Sequence, residues 1–242
     1  MKVAALIAAA GKGQRMGGEV EKQFRQLGGK PLLSHTLAAF EETAEIDTVI
    51  VIVPPGREEF CRQAVVVRQG FRKVGRIVTG AASRQGSVQA GFRWLDHDID
   101  IVVIHDGARP FVTPALIRAA IDAAARYGSA IAAIPESDTL KRVSGDGVVI
   151  ETVARQHLWR AQTPQAFQRR ILGDALEFAE RYHLTGTDEA SLVESVPHRV
   201  WIVPGSSWNL KITTPDDLLL AELMVAQRTK GQALDRFRVE RL

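Results

Sequence analysis

A glycine-rich segment near the amino terminus holds the first residues whose types could do chemistry. It reads AAAGKGQRMGG over residues 8–18 and directly follows the apolar run VAALI. Small residues let backbone N–H groups approach an anion, and the flexible cations Arg15 and Lys22 lie in this segment and just beyond it. The pattern favours a triphosphate, although a tight turn with solvated cations remains the alternative. The candidate anion-binding positions are Ala9, Ala10, Gly11 and Gly13.

Two familiar phosphate-binding loops do not fit this segment. A dinucleotide-binding loop needs a third glycine where Met16 stands, and an acidic residue at the end of the second strand, which here ends in VPPG. A Walker A loop needs Gly-Lys-Ser/Thr at its end, where this chain has Gly17, Gly18 and Glu19. The loop therefore predicts a different class of nucleotide-binding protein.

A second candidate cluster follows the apolar run DIVVI, where the sequence reads HDGARPF. Ligands of open α/β sheets bind outside the carboxyl ends of the strands, so Asp106 and Arg109 should face the same crevice as the glycine-rich loop. The Asp106 carboxylate could hold Mg²⁺, which accompanies a triphosphate, or it could cap a turn. His105 should point to the opposite face of the strand, where we expect a packed and hydrogen-bonded side chain.

Two further segments supply polar side chains. SRQGSVQAG opens a helix at Ser83, which we expect to be the N-cap, while Arg84 and Ser87 on the first turns could reach a base or a phosphate. NLKITTPDDL places Lys211 on a short strand before a helix that Pro215 begins. The chain has no HxxxH, CxxC or Gly-x-Ser-x-Gly pattern, which gives zinc chemistry and serine nucleophiles no support.

The elements that must position these residues alternate along the chain. Short apolar runs and longer amphipathic stretches take turns, which predicts βαβ units and a mainly parallel sheet. Helix starts are marked by Pro31, Ser83 and Pro114, and a helix end by Gly128. The predicted fold class is α/β, a Rossmann-like three-layer sandwich forming a single domain over residues 1–242.

The rhythm changes after Pro135. A GDG turn at residues 145–147 separates two runs of β-branched and polar residues, which predicts a β-hairpin arm over about residues 137–160. The arm has too few apolar residues to stand alone, so we expect it to pack on something else. A second copy of the chain is the simplest candidate.

Composition excludes several classes. The 242 residues are 45% hydrophobic, and the net charge of +3 comes from scattered basic residues, which argues against nucleic acid as a partner. The one cysteine, Cys61, cannot form an internal disulfide and should be a small, inert, partly buried residue. No apolar run approaches the ~20 residues that cross a bilayer. We therefore expect a cytoplasmic protein with no membrane association.

The motifs taken together resemble one family. In chain order they are AAAGKGQRM, EKQF, SRQGSVQAG, HDGARPF, SDTLK, TVARQHLWRAQTPQAF, TDEAS and NLKITTPDDL. They are similar to the ordered motifs of 2-C-methyl-D-erythritol 4-phosphate cytidylyltransferases, in the nucleotidyltransferase superfamily, from about residue 3 to residue 225. The resemblance implies transfer of CMP from CTP to methylerythritol phosphate with release of pyrophosphate, a step of non-mevalonate isoprenoid biosynthesis.

The resemblance also implies roles for residues. Arg15 and Lys22 would stabilise the transition state, Mg²⁺ or another divalent cation on Asp106 would orient the triphosphate, and Lys211 with Arg155 would align the attacking phosphate. The base would lie against residues 9–11 with Gly80 and Ser87, and a floor would be formed by Ala108, Arg109, Thr163 and Thr187. Family members are homodimers that exchange the arm, so Thr139 and Arg155 would act in the partner's site.

The sequence differs from the family pattern at two positions. Trp208 precedes Asn209 where some members have an acidic residue, so we expect Asp106 to be the one protein ligand of the cation. Glu21 stands where the family usually has proline, which should loosen the loop that carries Lys22.

Two other functions remain as alternatives. One is ribitol 5-phosphate cytidylyltransferase, against which the segment TVARQHLW counts. The other is an inactive nucleotide-binding protein, against which the retained Arg15, Lys22 and Lys211 count.

Overall fold

The computed structural model of the protein describes residues 1–11, 13, 16 and 21–229, with the side chains of 228 and 229 excepted. Its strands are β1 (Val3–Ala8), β2 (Gln26–Leu27), β3 (Lys30–Pro31), β4 (Thr48–Val53), β5 (Val74–Thr79), β6 (Ile101–Asp106), β7 (Ser129–Pro135), β8 (Leu140–Val143), β9 (Val149–Val153), β10 (Trp159–Gln168) and β11 (Trp201–Pro204). Its α-helices are α1 (Leu32–Glu42), α2 (Glu58–Cys61), α3 (Arg84–Phe92), α4 (Pro114–Tyr127), α5 (Arg169–Arg181), α6 (Glu189–Val193) and α7 (Pro215–Thr229).

Seven of these strands form one sheet in the order β11-β7-β10-β6-β1-β4-β5. β1 pairs in parallel with both β4 and β6, and β4 pairs in parallel with β5. β10 runs antiparallel between β6 and β7. The prediction of a mainly parallel α/β sheet is confirmed, with β10 as the antiparallel exception that the sequence did not reveal.

Helices cover both faces of this sheet. On one face, α1 and α4 bury Leu37, Phe40 and Ile121 against β1 and β6. On the other face, α3, α5 and α6 contribute a second core that includes Val88 and Leu172. The strands in the middle of the sheet are continuously apolar because both of their faces are buried. The predicted three-layer sandwich is confirmed.

Local sequence signals set the helix ends. The Ser83 hydroxyl accepts a hydrogen bond from Gly86 N at 2.9 Å, so it is the predicted N-cap of α3. Thr113 caps α4 with Pro114 in the first turn, and Gly128 ends that helix with φ of 94°, a conformation that favours glycine. Cys61 is fully buried, and burial raises the pKa of its thiol to about 12.

The predicted hairpin forms a separate two-stranded antiparallel sheet from β8 and β9. Its apolar side chains are largely exposed, among them Val148 at 61% and Ile150 at 63%. The chain rejoins the main sheet at β10, where Trp159 pairs with Pro135, so the last two residues of the predicted arm belong to the sheet. Within the described residues, no helix is long and apolar enough to span a bilayer.

Candidate active site

The crevice for the predicted site lies where the strand order reverses. The chain runs from β1 outward through β4 to β5, and then returns to the other side of β1 to form β6. The loops after β1 and β6 therefore diverge and leave a crevice between them, which is the usual ligand site of an open α/β sheet. Ala9 follows β1, and Asp106 ends β6.

At one wall of the crevice, position 80 has space only for glycine. A Cβ atom on Gly80 would overlap the Cβ of Ala10 and lie 2.9 Å from the Ser87 Oγ. The Ser87 hydroxyl donates to Ser83 O at 2.8 Å and accepts from Ala81 N at 3.0 Å. Ala10, from the glycine-rich loop, thus meets Gly80 and Ser87, which lie on either side of the start of α3.

The glycine-rich loop also lies close to Lys22. Gly13 has φ of 63°, and a Cβ there would lie 2.9 Å from the Cβ of Lys22. Gly13 is therefore required twice, by its backbone conformation and by the close approach. The other predicted cation of this loop, Arg15, lies outside the described residues.

Asp106 is the centre of a buried charge cluster. The Lys211 Nζ lies 2.8 Å from Asp106 Oδ2, the Arg109 Nε lies 3.6 Å from the same oxygen, and the Arg84 Nε lies 3.2 Å from Oδ1. Burial raises the pKa of the Asp106 carboxyl, but Arg84, Lys211 and Arg109 outweigh burial, and the net pKa is well below the usual range. Asp106 is therefore a carboxylate at neutral pH.

A chain of hydrogen bonds holds this cluster from below. Thr163 Oγ1 accepts from Asp106 N at 3.1 Å and lies 2.9 Å from the His105 Nδ1, while the His105 Nε2 lies 3.3 Å from Arg109 O. A carbonyl can only accept, so Nε2 carries the proton and Nδ1 accepts from the Thr163 hydroxyl. Burial lowers the pKa of His105 to about 3. The packed, hydrogen-bonded histidine predicted from the sequence is confirmed.

Thr163 reaches this position because β10 is irregular. The register of β10 against β7 shifts between Ala161 and Gln165, as it does at a β-bulge. A bulge redirects side chains near an active site, and here it turns Thr163 toward the end of β6.

Lys211 lies in a loop, and the prediction that it lies on a short strand is wrong. The segment is held by single contacts instead of a strand ladder: Ile212 N donates to Ala108 O at 2.9 Å, and the Arg109 Nη1 donates to Asn209 O at 2.8 Å. The buried Asn209 amide donates to Thr163 O at 2.7 Å. Asn209 thus ties the Lys211 loop to β10, a role that sequence reasoning did not assign.

Glu189 is the second residue that the sequence did not single out. Its fully buried carboxylate accepts from the Arg84 Nη1 at 2.8 Å and 2.7 Å through its two oxygens. The available signal was its place in the TDEAS motif, but an acidic residue in a first helical turn is common for reasons of the helix dipole alone. Arg84 was predicted to reach a ligand, and it lies between the carboxylates of Asp106 and Glu189.

The segment that carries Lys22 is a short 3-10 turn, Lys22–Phe24. The Arg57 Nε lies 2.6 Å from Glu21 Oε1, and the ring of Phe24 packs edge-on against Phe60 at 5.0 Å between centroids. Glu21 has φ of −59°, a value that proline also adopts. Glu21 was expected to loosen this turn, but the Glu21–Arg57 ion pair and the Phe24–Phe60 contact both hold it in place.

The remaining predicted residues are exposed. Thr187 precedes Asp188, the N-cap of α6, and the neighbouring Gly186 N donates to Gln85 Oε1 at 3.1 Å, which places this loop beside the start of α3. Thr139 and Arg155 flank the hairpin strands, and the Arg155 Nη1 donates to Ser137 O. Among the described residues, no hydrogen bond or ion pair joins Thr139 or Arg155 to the Asp106 cluster within one chain.

The arrangement is suited to an anionic ligand. Three cations surround Asp106, and the neighbouring wall carries only small side chains, so a phosphate compound can bind with its charge neutralised. A cavity of about 510 Å³ lies elsewhere, beside His97 and Arg169 at the amino end of β6. That cavity contains none of the predicted site residues.

Known proteins match this chain over nearly its whole length. A sequence model of the family described as IspD: 2-C-methyl-D-erythritol 4-phosphate cytidylyltransferase matches residues 3–227. A protein of that name from Pelotomaculum thermopropionicum (strain DSM 13744 / JCM 10971 / SI) is 47% identical over 227 residues, covering 94% of this chain and 95% of that protein. Another, from Alkaliphilus metalliredigens (strain QYMF), is 42% identical over 231 residues, covering 96% of each.

A solved structure agrees with this result. The crystal structure of 2-C-methyl-D-erythritol 4-phosphate cytidylyltransferase from Thermus thermophilus superposes with a TM-score of 0.77 and 35% identity. The match covers 93% of this chain and 100% of that chain. Sequence and fold therefore point to the same family.

Proposed function

Because this chain belongs to the 2-C-methyl-D-erythritol 4-phosphate cytidylyltransferase family, we propose which of its residues carry the reaction of that family. The chain is a CTP-dependent cytidylyltransferase. It transfers CMP from CTP to 2-C-methyl-D-erythritol 4-phosphate in isoprenoid biosynthesis, and it releases pyrophosphate. The roles of individual residues in this reaction are our proposal.

One observation carries this assignment. Lys211, from a loop about a hundred residues after β6 in the chain, lies 2.8 Å from Asp106 and beside Arg109. Burying these charges costs free energy, and the pairing around Asp106 only offsets that cost, so the cluster is weak evidence of added stability. A role in binding charged substrates explains it better. We therefore assign the centre of the site to Asp106.

The reaction needs charge stabilisation more than acid or base groups. A phosphate oxygen of methylerythritol phosphate attacks the α-phosphorus of CTP, a new P–O bond forms, the bond to the β-phosphate oxygen breaks, and pyrophosphate leaves with the electron pair. Two anions must meet, so positioning and cations supply most of the catalysis. We assign Lys211 to the attacking phosphate and Lys22 to the α-phosphate, together with Arg15.

The wall of small residues is proposed as the nucleotide site. Ala10, Gly80 and Ser87 meet there, and the space that a Gly80 side chain would fill is already occupied. A planar base can pack against such a wall, while Gly11 and Gly13 offer backbone N–H groups. The Ala9 N–H already donates to Ile52 O at 2.8 Å, so Ala9 stays in the proposed set for its small side chain. Arg84 and Ala108 complete the proposed nucleotide-binding set. Arg109, Thr163 and Thr187 are proposed to face the second substrate.

A divalent cation fits the donor chemistry of the crevice. No cluster of three or more potential His, Cys, Asp or Glu ligands occurs among the described residues, and the exposed Trp208 offers no oxygen. Mg²⁺ typically keeps several waters and binds one or two carboxylates together with substrate phosphates. Each Asp106 oxygen makes one close contact, with Arg84 or with Lys211, and a carboxylate has about four acceptor positions. Asp106 would therefore hold Mg²⁺ or another divalent cation beside these two side chains, and the cation would neutralise part of the charge on the triphosphate.

We propose that the chain acts as a homodimer through the hairpin. Val148, Val149 and Ile150 expose more than half of their surface on a two-stranded sheet, which is marginal in isolation. Thr139 and Arg155 lie at the base of this arm, away from the Asp106 cluster of their own chain. An exchanged arm would bring both residues to the partner's crevice. A single domain over residues 1–242 and a cytoplasmic location stay predictions.

Pyrophosphate release tests the proposal. We expect turnover with CTP and methylerythritol phosphate and little turnover with CTP and ribitol 5-phosphate. Lys211→Ala should lower kcat at least about a hundredfold, since loss of one preorganised charge typically costs about 10²–10³ in rate. Lys30→Ala, on the exposed strand β3, is the matched control and should leave kcat unchanged. Turnover with ribitol 5-phosphate alone would reject the substrate, and normal turnover of Lys211→Ala would reject the assigned centre.

A further inference from the structure

Glu189 is a fully buried carboxylate that lies behind the crevice without facing it. Both of its oxygens accept from the same Arg84 nitrogen, at 2.8 Å and 2.7 Å. Burial raises the pKa of Glu189, and the charge of Arg84 opposes that rise. A buried ion pair is weak evidence of added stability, so its position next to the site calls for another reason.

Arg84 connects Glu189 to Asp106. Its Nε lies 3.2 Å from Asp106 Oδ1 while its Nη1 is bound to Glu189, so the guanidinium is fixed in its plane by two carboxylates. Asp106 Oδ2 remains for Lys211 at 2.8 Å. Asp106 Oδ1 thus pairs with Arg84, whereas Oδ2 pairs with Lys211 and, at 3.6 Å, with the Arg109 Nε.

Glu189 is itself held by the strand next to Asp106. Asp188 caps α6 by accepting from Ser191 N at 3.0 Å, and its other oxygen accepts from the Gln165 Nε2 at 2.7 Å. Gln165 Oε1 accepts from Ala190 N at 3.3 Å, and Gln165 lies opposite Ile104 in the β10–β6 pair. The carboxylate of Glu189 is therefore fixed relative to the end of β6.

We propose that Glu189 is a positioning residue for the transfer reaction, because it retains Arg84 and so keeps Asp106 Oδ2 available to orient Lys211. Without the Glu189 charge, Arg84 turns toward Asp106 and competes with Lys211 for the same carboxylate. This inference rests on the proposed function, since Lys211 matters only if it acts on the substrate phosphate. Glu189 touches neither substrate, so its effect passes through Arg84 and Asp106.

Glu189→Gln is the first variant, because glutamine keeps the size of the side chain and removes its charge. We expect kcat to fall at least about tenfold, as is usual when a residue that orients a ligand-binding carboxylate is lost. The dissociation constant of CTP, measured by calorimetry, should rise by less than kcat falls, because Arg84 and Asp106 belong to the proposed nucleotide-binding set while Lys211 acts on the attacking phosphate. Unchanged kcat, or a weakened CTP affinity that accounts for the whole effect, would overturn the proposal.

Two matched variants separate charge from packing. Glu189→Asp keeps the charge with a shorter reach and should recover part of the lost kcat. Glu194→Gln removes a carboxylate at the exposed end of the same helix and should leave kcat unchanged. Equal kcat values in Glu189→Asp and Glu189→Gln would assign the residue a packing role and contradict the proposal.

A double-mutant cycle with Arg84→Gln tests the route of the effect. If Glu189 acts through Arg84, the Arg84→Gln/Glu189→Gln protein should have about the same kcat as Arg84→Gln alone, because interacting residues do not add. The double variant also contains no unpaired buried charge from this pair, so it should fold where a single variant does not. Independent, multiplicative losses would overturn the inference.

The Lys211→Ala background separates this inference from the proposed function. In Lys211→Ala, the additional change Glu189→Gln should not lower kcat further, because the Lys211 side chain that Glu189 helps to orient is already absent. If Lys211→Ala alone leaves kcat unchanged, the proposed function fails together with the inference. If Lys211→Ala is inactive to the expected degree but Glu189→Gln still lowers the residual rate tenfold, only the inference fails.

Discussion

Two regions of the molecule carry the residues proposed for the reaction, and they are built in opposite ways. The crevice at the end of β6 is built on charges that are mostly buried, with Asp106 at 6% exposure and Glu189, behind the crevice, at 0%. The hairpin of β8 and β9 holds its apolar side chains in the open, with Ile150 at 63% exposure. The contacts that fix the geometry of the crevice lie within one chain, whereas few contacts of its own chain hold the hairpin.

The difference indicates where each region obtains its geometry. In the crevice, β6, β10, α3 and α6 fix the charges through backbone pairing and buried hydrogen bonds, so their positions depend on the stability of the whole sheet. In the hairpin, Arg155 is held by Ser137 O beside an exposed two-stranded ladder. If Arg155 acts on a substrate as proposed, an exchanged arm in a dimer would set its position, since a two-stranded sheet is marginal in isolation.

Mixing two inactive proteins would test this contrast most strongly. Arg155→Ala and Lys211→Ala should each lose at least about a hundredfold in kcat. After the two proteins are unfolded, mixed and refolded together, heterodimers with exchanged arms have one intact site. With random pairing, about a quarter of all sites are then intact, so activity should return to about a quarter of the wild-type value.

The control for this experiment is each variant refolded alone, which should stay inactive. Heterodimers must be shown by a mass or affinity tag on one of the two proteins. If they form and activity does not return, Arg155 acts in its own chain, and the contrast between a self-sufficient crevice and a dependent arm is wrong.

The second prediction concerns His105, which supports the crevice from inside. Its pKa is lowered by burial to about 3 from 6.5, so between these pH values the unfolded chain binds a proton that the folded chain does not. The free energy of unfolding should therefore fall as pH falls through this window, by at most about 1.4 kcal/mol per pH unit for one proton. Urea unfolding at a series of pH values measures the slope.

His105→Gln should be less stable than wild type at pH 7, because the contacts with Thr163 and Arg109 O change. It should also lack the His105 part of the acid slope. His97→Gln, at an exposed position, is the matched control and should keep the wild-type slope. Identical slopes in wild type and His105→Gln would mean that His105 is not the buried neutral group described above.

Much of the fold could be predicted from the sequence because its signals are local. Alternating apolar and amphipathic runs, the helix starts at Ser83 and Pro114, the helix end at Gly128 and the GDG turn each depend on a few neighbouring residues. The resemblance to a family added the candidate residues on separate segments. Ala10, Gly80 and Ser87 come together as that resemblance implies, although their binding role stays a prediction.

The remaining features are contacts between distant segments, which no local pattern reports. β10 enters the sheet in the antiparallel direction, and Lys211 lies in a loop that Asn209 anchors to Thr163 O. Glu189 meets Arg84 across 105 residues of sequence. An acidic residue in a first helical turn, such as Glu189, and a single asparagine, such as Asn209, are common in proteins for ordinary reasons. Only the three-dimensional structure shows that these two residues contact the site.

The smallest expected effect belongs to the turn that carries Lys22, which combines features of both regions. Its Glu21–Arg57 pair is partly exposed, like the hairpin, yet it adjoins a residue proposed for catalysis. Exposed ion pairs contribute little, so Arg57→Ala should change kcat less than about threefold, and the change should shrink at high salt. Arg118→Ala breaks a remote pair with the same 2.6 Å distance between Nε and Oε1, and it should leave kcat unchanged.

Glu21→Pro sharpens this prediction because it replaces an ion pair by a covalent restraint. The φ of −59° and ψ of 138° at Glu21 suit proline, which also lowers the entropy of the unfolded chain. Glu21→Pro should therefore keep kcat near the wild-type value and make it insensitive to Arg57→Ala. A large loss of kcat in Glu21→Pro would show that the carboxylate itself is needed beside Lys22, so the turn would belong with the buried crevice and not with the exposed arm.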